Sequence, residues 1–196
     1  ADVHCEHAVT SLRELLASPA HRESIAQSLE PVYRRREDND SLADILEIRL
    51  EAAGVKAQKR LLVELVELYN EHIQDMQKAL WAASRLFALD PNRSSIRPIL
   101  EQLAESQNEW AHVADLYESH VENVTDDSAR IQVYKTIASA AQEQLQDLER
   151  SERTYRRVLD EDPDQISALD ALEMLYMEMD QPENLLGTLR SKERFI

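Results

Sequence analysis

Residues 61–69 read LLVELVELY and set leucines and a tyrosine at spacings of three and four. Such spacing places apolar side chains on one face of an α-helix. The chain is rich in Ala, Leu, Glu, Gln and Arg, which are strong helix formers, and it contains only two glycines, Gly54 and Gly187. Because the tight turns of a β-rich fold depend on glycine, the sequence predicts an all-α fold.

The helical stripe of residues 61–69 recurs along the chain. A shift of 36 residues superimposes Ile25, Leu29, Val32 and Tyr33 on Leu61, Leu65, Leu68 and Tyr69. A shift of 72 residues superimposes Pro19 on Pro91, and Pro91 on Pro163. Neighbouring units of about 36 residues therefore differ slightly, and the closer repeat is a pair of units with a period of 72 residues. A fixed period of this length is typical of a solenoid built from stacked helix pairs.

Each unit is predicted to contain two helices, of which helix A carries the leucine and tyrosine stripe. Helix B carries a small residue where the two helices cross, at Ala43, Ala79, Ala114, Ser151 and Gly187. We expect helix A at 22–36, 57–73, 95–106, 128–145 and 165–179, and helix B at 41–53, 76–89, 109–123, 148–160 and 183–195. The domain organisation is then one solenoid, 1–196, in which 1–18 is the last helix of a preceding repeat and the helix pairs are 19–55, 56–91, 92–127, 128–163 and 164–196.

Glycine and proline mark the expected helix ends. Gly54 suits a left-handed helix cap, and the residues before Pro91 and Pro163 are disfavoured in helical geometry. Pro31 falls in the middle of the first helix A, where it removes a backbone hydrogen bond. The helix therefore either kinks at Pro31 or begins later than residue 22.

These features together resemble the tetratricopeptide repeat: two helices per unit, a period near 34, a small residue and then an aromatic one in helix B, and a closing proline. The clearest unit has Ser139 in helix A, Ser151 and Tyr155 in helix B, and Pro163 at its end. The family's Trp-Leu-Gly signature is missing from every helix A. The units look like the divergent repeats of large bacterial repeat proteins, and a related half-repeat class of RNA-processing scaffolds is an alternative.

The resemblance implies a right-handed superhelix in which helix A lines a concave groove that takes a peptide or a partner helix. It brings no enzyme chemistry and no cofactor. The implied function is a protein-protein interaction scaffold. If helix A lines the groove, its exposed positions include Glu64, Glu71, Gln102, Glu105, Glu143 and Asp170. These are mostly acidic, so we expect a basic or amphipathic protein ligand.

The formal net charge of −16 restricts the kinds of partner. Nucleic acid and anionic membrane surfaces both select basic proteins, so neither is an expected partner. A simpler explanation of the charge is that acidic residues only solvate the outer helix faces. One cysteine, Cys5, suits a reducing compartment, and neither a signal peptide nor an apolar membrane span is visible. We therefore expect a cytoplasmic protein.

No pattern in the sequence points to catalysis or to a bound metal. A phosphate-binding loop needs clustered glycines, and zinc needs grouped Cys and His. His4, Cys5 and His7 lie close together but at the chain end, whereas His112 and His120 supply only two ligands. We expect surface histidines, no cofactor and no enzyme activity.

Two clusters leave alternatives open. The arginine-rich run at 33–36 and the pair Arg156 and Arg157 suit either phosphate binding or a solvated helix end, and the acidic residues that follow each favour the second. Met174, Met177 and Met179 suit either an adaptable binding surface or a face that a further repeat would cover. Two rival functions follow: a structural spacer or oligomerisation segment, and an accessory domain of a larger enzyme.

Overall fold

The computed structural model describes residues 3–16 and 21–195, with side chains at 7–16 and 21–194. All regular structure within these residues is helical. The α-helices are α1 (Val3–Leu15), α2 (Arg22–Arg36), α3 (Asn39–Ala52), α4 (Val55–Glu67), α5 (Met76–Leu89), α6 (Ile96–Gln107), α7 (Trp110–His120), α8 (Asp127–Glu143), α9 (Leu148–Glu161), α10 (Ile166–Glu178) and α11 (Pro182–Lys192). A π-helical turn at Leu68–Ile73 extends α4, and short 3-10 turns follow α7 (Val121–Asn123) and α11 (Glu193–Phe195).

The predicted all-α class and the helix pairs are confirmed. Within the described residues, five antiparallel pairs, α2 to α11, follow the leading helix α1. Helices α5 and α9 end at Leu89 and Glu161, as expected from the Asp-Pro dipeptides that follow. This succession of helix pairs is the arrangement that the repeat in the sequence predicts.

The chain divides into two compact units, residues 1–90 and 91–196. Helices α1 to α5 form the first unit and α6 to α11 the second, and consecutive helices pack against each other within each unit. The division lies within one residue of the predicted boundary between the second and third pairs. All the predicted repeat boundaries, the single solenoid domain and its hand stay predictions, and Pro19 lies outside the described residues.

The link between the two helices of every pair contains one residue with positive φ. These residues are Glu37, Gln74, Asn108, Gln146 and Asp180, at successive separations of 37, 34, 38 and 34 residues. The alternation of longer and shorter steps explains why the pair of units repeats near 72. At the end of α2 the amide of Asp38 donates to the Tyr33 carbonyl at 3.2 Å, and the amide of Glu37 donates to that of Arg34 at 3.3 Å. This left-handed cap uses carbonyls that the helix end leaves unpaired.

An aspartate follows the left-handed residue in three of the five links. The side chains of Asp38, Asp75 and Asp147 accept hydrogen bonds of 3.0–3.1 Å from backbone amides in the first turn of helix B. Each bond satisfies an amide that the helix start leaves without a partner. Helix A therefore stops and helix B starts within two to four residues in these three links, which fixes the hairpin.

Two sequence predictions about glycine are wrong. Gly54 has φ −73° and ψ 160°, which is extended backbone at the start of α4 rather than a left-handed cap. Gly187 is exposed, and a Cβ built on it meets no atom within 4 Å. The buried small residue of α11 is its neighbour Thr188. The predicted position, 36 residues after Ser151, is therefore one residue too early.

The other four predicted crossing residues, Ala43, Ala79, Ala114 and Ser151, are all at most 1% exposed. Pro31 lies inside α2. This helix begins at Arg22, as the sequence predicts, so a later helix start is excluded. The side chain of Pro31 is exposed. On that face water can bond the carbonyl that Pro31 leaves unpaired.

Candidate functional site

A groove with a volume of about 490 Å³ runs along the first unit between α2, the start of α3, and α4 with its π-helical turn. We call it the α2–α4 groove. Its floor is apolar: Leu42 and Leu68 are 5% and 6% exposed, whereas Val63 is 37% exposed. Val63 is therefore the apolar side chain that a ligand would reach. Most of the residues that line the groove belong to α2 and to α4 with its π-helical turn, which are the A helices of the first two pairs.

One side of the groove is electrically neutral because its charges pair with each other. Arg34 of α2 contacts Glu64 of α4, and it also binds Glu30 with a nitrogen–oxygen distance of 2.8 Å. Glu30 in turn contacts Arg49 of α3. The hydrogen bond from Arg34 to Glu64 raises the pKa of the guanidinium. This network of two arginines and two glutamates joins three helices and leaves no net charge.

The other end of the groove carries Glu67, Glu71 and His72, which we call the π-turn cluster. Their ligand-type atoms all lie within 4.8 Å of one another, and all three side chains are exposed. In an α-helix, residue 72 would lie about 1.4 turns beyond residue 67, on a different face. The i to i+5 bonding of the π-helical turn instead brings His72 over Glu67. Two carboxylates and an imidazole are a donor set that divalent metals accept.

Tyr69 anchors the buried side of the π-helical turn. Its side chain is 1% exposed, and its hydroxyl donates to Glu47 of α3. The ammonium of Lys78 on α5 lies 5.1 Å from the centre of the tyrosine ring and 3.7 Å from Glu47. Burial, then the bond to Glu47, raises the pKa of Tyr69 well above its usual range. The turn is thus held between α3 and α5. Its exposed face carries the π-turn cluster.

The structure brings two of the six sequence-predicted site residues to the α2–α4 groove. Glu64 lines it, and Glu71 belongs to the cluster at its end. The other four lie in the second unit: Gln102 and Glu105 on α6, Glu143 on α8 and Asp170 on α10. The assignment of all six as a binding face stays a prediction.

Several of those acidic residues already have partners within the chain. The indole N–H of Trp110 donates to Glu105 at 2.8 Å, and the hydroxyl of Ser139 donates to Glu143 at 3.2 Å. Asp170 binds Lys192 at 2.6 Å. Their charge is therefore less available to a ligand than the sequence suggested.

Sequence reasoning missed three residues of the site: Val63, Glu67 and His72. Val63 lies outside the leucine and tyrosine stripe of helix A, and only the structure shows that its side chain is 37% exposed in the groove. Glu67 and His72 do not share a face under the α-helical period. A π-helical turn leaves no mark in the hydrophobic pattern, so nothing in the sequence brings them together.

The other candidate residues form no comparable site within the described residues. The ring Nδ1 of His120 lies 3.0 Å from the Leu116 carbonyl, and neither His120 nor His112 belongs to a group of three donors. The side chains of His4 and Cys5 lie outside the described residues. Arg156 and Arg157 lie over tyrosine rings and pair with Glu152 and Glu122, although both arginine side chains stay about half exposed. No described helix is long and apolar enough to cross a lipid bilayer.

Comparisons with known proteins give similarities in structure but none in sequence. No family model matches the chain, and no curated protein sequence does either. The chain is similar to a structure of the MamA protein, with 14% identity over 89% of this chain and 94% of that one and a TM-score of 0.48. The structure of a MamA double mutant is 13% identical, covers 88% of this chain and 93% of that chain, and has a TM-score of 0.47.

A tetratricopeptide repeat protein from Parabacteroides merdae is also similar. The match has 13% identity, covers 95% of this chain and 72% of that chain, and has a TM-score of 0.38. At these scores and identities the likeness carries no conclusion about a ligand.

Proposed function

We propose that this chain is a protein-interaction module and that the α2–α4 groove receives a peptide or a segment of a partner protein. The supporting observation is the exposed Val63 in an apolar floor with charged groups along both rims. An open groove with one apolar anchor point and polar edges is suited to a polypeptide segment, which offers alternating apolar and polar side chains. It is too open to enclose a small molecule, which needs a concave pocket that buries most of its surface.

A photoreactive amino acid at position 63 tests the proposal. Benzoylphenylalanine replaces Val63 in one variant and the exposed Arg153 of α9 in a control. After irradiation in an extract, we expect discrete protein adducts at position 63, and we expect excess unlabelled wild-type chain to suppress them. Identical adducts at both positions, or none at position 63, would show that the groove binds no protein segment.

A second candidate function is self-association through the last helix pair. Met174, Met177, Leu186 and Leu189 are each 39–64% exposed on α10 and α11. Clustered exposed apolar side chains mark protein interfaces. Sedimentation at rising concentration distinguishes the two functions: a mass that grows with concentration, and stays constant when Met174 and Leu186 are changed to Ser, supports association through these helices.

A further inference from the structure

The charges around the α2–α4 groove do not cancel at its π-turn end. Arg34 and Glu64 belong to the neutral network described above. The charges that remain are negative at Glu37, Glu67 and Glu71, and positive at Arg60, one helix turn before Val63. Within the described residues, no hydrogen bond or ion pair engages the side chains of Glu67 and Glu71.

Two carboxylates that converge without a cation repel each other, and a cation placed between them removes that repulsion. Their oxygens, like the other atoms of the cluster, lie within 4.8 Å of one another. One ammonium or guanidinium group makes hydrogen bonds of about 2.8–3.0 Å, so a single basic side chain can bridge two oxygens at this separation. The π-turn cluster therefore has the charge and the spacing to hold one lysine or arginine.

Val63 lies on the same helix face as Glu67, one turn earlier. The rise of an α-helix puts Val63 about 6 Å from Glu67 along the axis. Glu71 lies further along, within the π-helical turn. A ligand that fills both positions needs an aliphatic side chain two to four residues from a basic one, in extended or helical conformation.

We infer that the α2–α4 groove selects a polypeptide segment in which a lysine or arginine, held by Glu67 and Glu71, lies two to four residues from an aliphatic side chain on Val63. The inference rests on the proposed function and specifies its ligand. Glu67 and Glu71 select the charge, whereas Val63 selects the apolar side chain. The imidazole of His72 lies within 4.8 Å of both carboxylates, beside the position of the basic group.

A positional-scanning library of fluorescein-labelled decapeptides in a Gly/Ser background tests the inference with the full chain. We expect the wild type to select Lys or Arg at one position and Leu, Ile, Val or Met two to four positions away. The variant Glu67→Gln/Glu71→Gln should lose the basic preference and bind the best peptide roughly five- to tenfold more weakly in fluorescence anisotropy. Val63→Ser should lose the aliphatic preference but keep the basic one.

A matched control removes two charges elsewhere. Glu149→Gln/Glu178→Gln changes two exposed carboxylates of α9 and α10 and should bind like the wild type. Equal losses in the two double variants would attribute the effect to net charge and overturn the inference. Selection without a basic preference would also overturn it, as would binding that EDTA abolishes, because the cluster would then hold a metal ion. If the wild type selects no peptide at all, the proposed function itself fails.

Discussion

The hydroxyl of Tyr176 on α10 donates a 3.0 Å hydrogen bond to the carboxylate of Glu152 on α9. The guanidinium of Arg156 donates to the same hydroxyl at 3.0 Å and binds Glu152 at 2.9 Å. One tyrosine thus joins helix A of the last pair to helix B of the pair before it. Its phenol is the centre of a small closed network rather than an isolated polar group.

The same combination occurs at two other junctions between pairs. Tyr134 of α8 donates a 2.6 Å bond to Glu122, which follows α7, and Arg157 lies 5.9 Å from the tyrosine ring and 3.4 Å from Glu122. Tyr69 completes the set with the contacts described above. A tyrosine, a glutamate and a cation therefore recur where one helix pair meets the next.

Changing Tyr134 to Phe should lower the free energy of unfolding by up to about 1 kcal/mol, because it removes one partly buried hydrogen bond and keeps the apolar ring. The measurement is urea unfolding followed by circular dichroism. Tyr155→Phe is the control, since the Tyr155 hydroxyl makes no hydrogen bond among the described side chains. An equal loss in both variants would mean that the bond to Glu122 contributes nothing.

Stability should fall as the pH rises above about 10, the ordinary tyrosine pKa. Burial is the largest cause that raises the pKa of five tyrosines, Tyr69, Tyr117, Tyr134, Tyr155 and Tyr176. A phenol with a raised pKa in the folded state holds its proton after the unfolded chain has lost it. The stability from these groups is therefore complete below pH 10 and is lost as the pH rises through their folded values.

Absorbance at 295 nm, which reports tyrosinate, tests this expectation. We expect most of the signal to appear together with the loss of helical circular dichroism above pH 10. A smooth titration of all the tyrosines near pH 10 in a chain that keeps its helices would contradict it.

The two small residues Ala79 and Gly187 should respond in opposite ways to a larger side chain. Ala79 is 0% exposed at a helix crossing, so Ala79→Leu should cost about 1–3 kcal/mol through overpacking. Gly187 lies inside α11 with open space around its Cβ position, so Gly187→Ala should add about 0.5–1 kcal/mol. Thermal unfolding of both variants measures the two effects. Destabilisation by Gly187→Ala would restore the sequence-based crossing assignment.

The sequence predicts the helix pairs because each pair needs a continuous apolar stripe, and a stripe is visible in the residues themselves. Leu65 and Tyr69 are both at most 1% exposed, as their spacing implies. The links are harder to predict. Without glycine, the left-handed positions fall on residues such as Glu37 and Gln74 that look like ordinary helix surface.

The candidate site is less visible than the fold for a related reason. Glu64 and Glu71 are apparent as acidic positions of helix A, but their partners depend on the tertiary structure. Glu64 is occupied by Arg34 from the preceding pair. Glu67 and Glu71 are four residues apart, as neighbours on a helix face are, but His72 reaches Glu67 only through the π-helical turn. Neither contact follows from the helical period alone.

Replacing a left-handed link residue by glycine should stabilise the chain where the native residue is poorly suited to positive φ. Glu37 has φ 55°, and a residue with a Cβ is strained there. Glu37→Gly should therefore raise the free energy of unfolding by up to about 1 kcal/mol, after the entropy that glycine gains in the unfolded chain is deducted. Asn108→Gly should give a smaller gain because Asn tolerates this region.

Equilibrium urea unfolding compares these two variants with Gln27→Gly in the interior of α2. The control should lose about 1 kcal/mol, since glycine is unfavourable within a helix. Similar losses in all three variants would show that the positive φ at position 37 carries no strain.

Removing the charge of Glu64 and that of Glu71 should have different effects on stability. Glu64→Gln breaks its contact with Arg34, whose side chain is 43% exposed, so the loss should stay below about 1 kcal/mol after screening by water. Glu71→Gln removes a carboxylate that only repels its neighbour Glu67, so stability should be unchanged or slightly higher.

The salt dependence of stability tests whether both effects are electrostatic. Because ions screen exposed charges, raising the NaCl concentration should shrink both differences from the wild type. We would measure the urea midpoints of the wild type and both variants at low and high salt. A loss in Glu71→Gln as large as that in Glu64→Gln would mean that Glu71 has a stabilising partner within the folded chain, and the negative end of the groove would then not be available to a ligand. A salt-independent loss in Glu64→Gln would instead point to packing, rather than charge, as the contribution of Glu64.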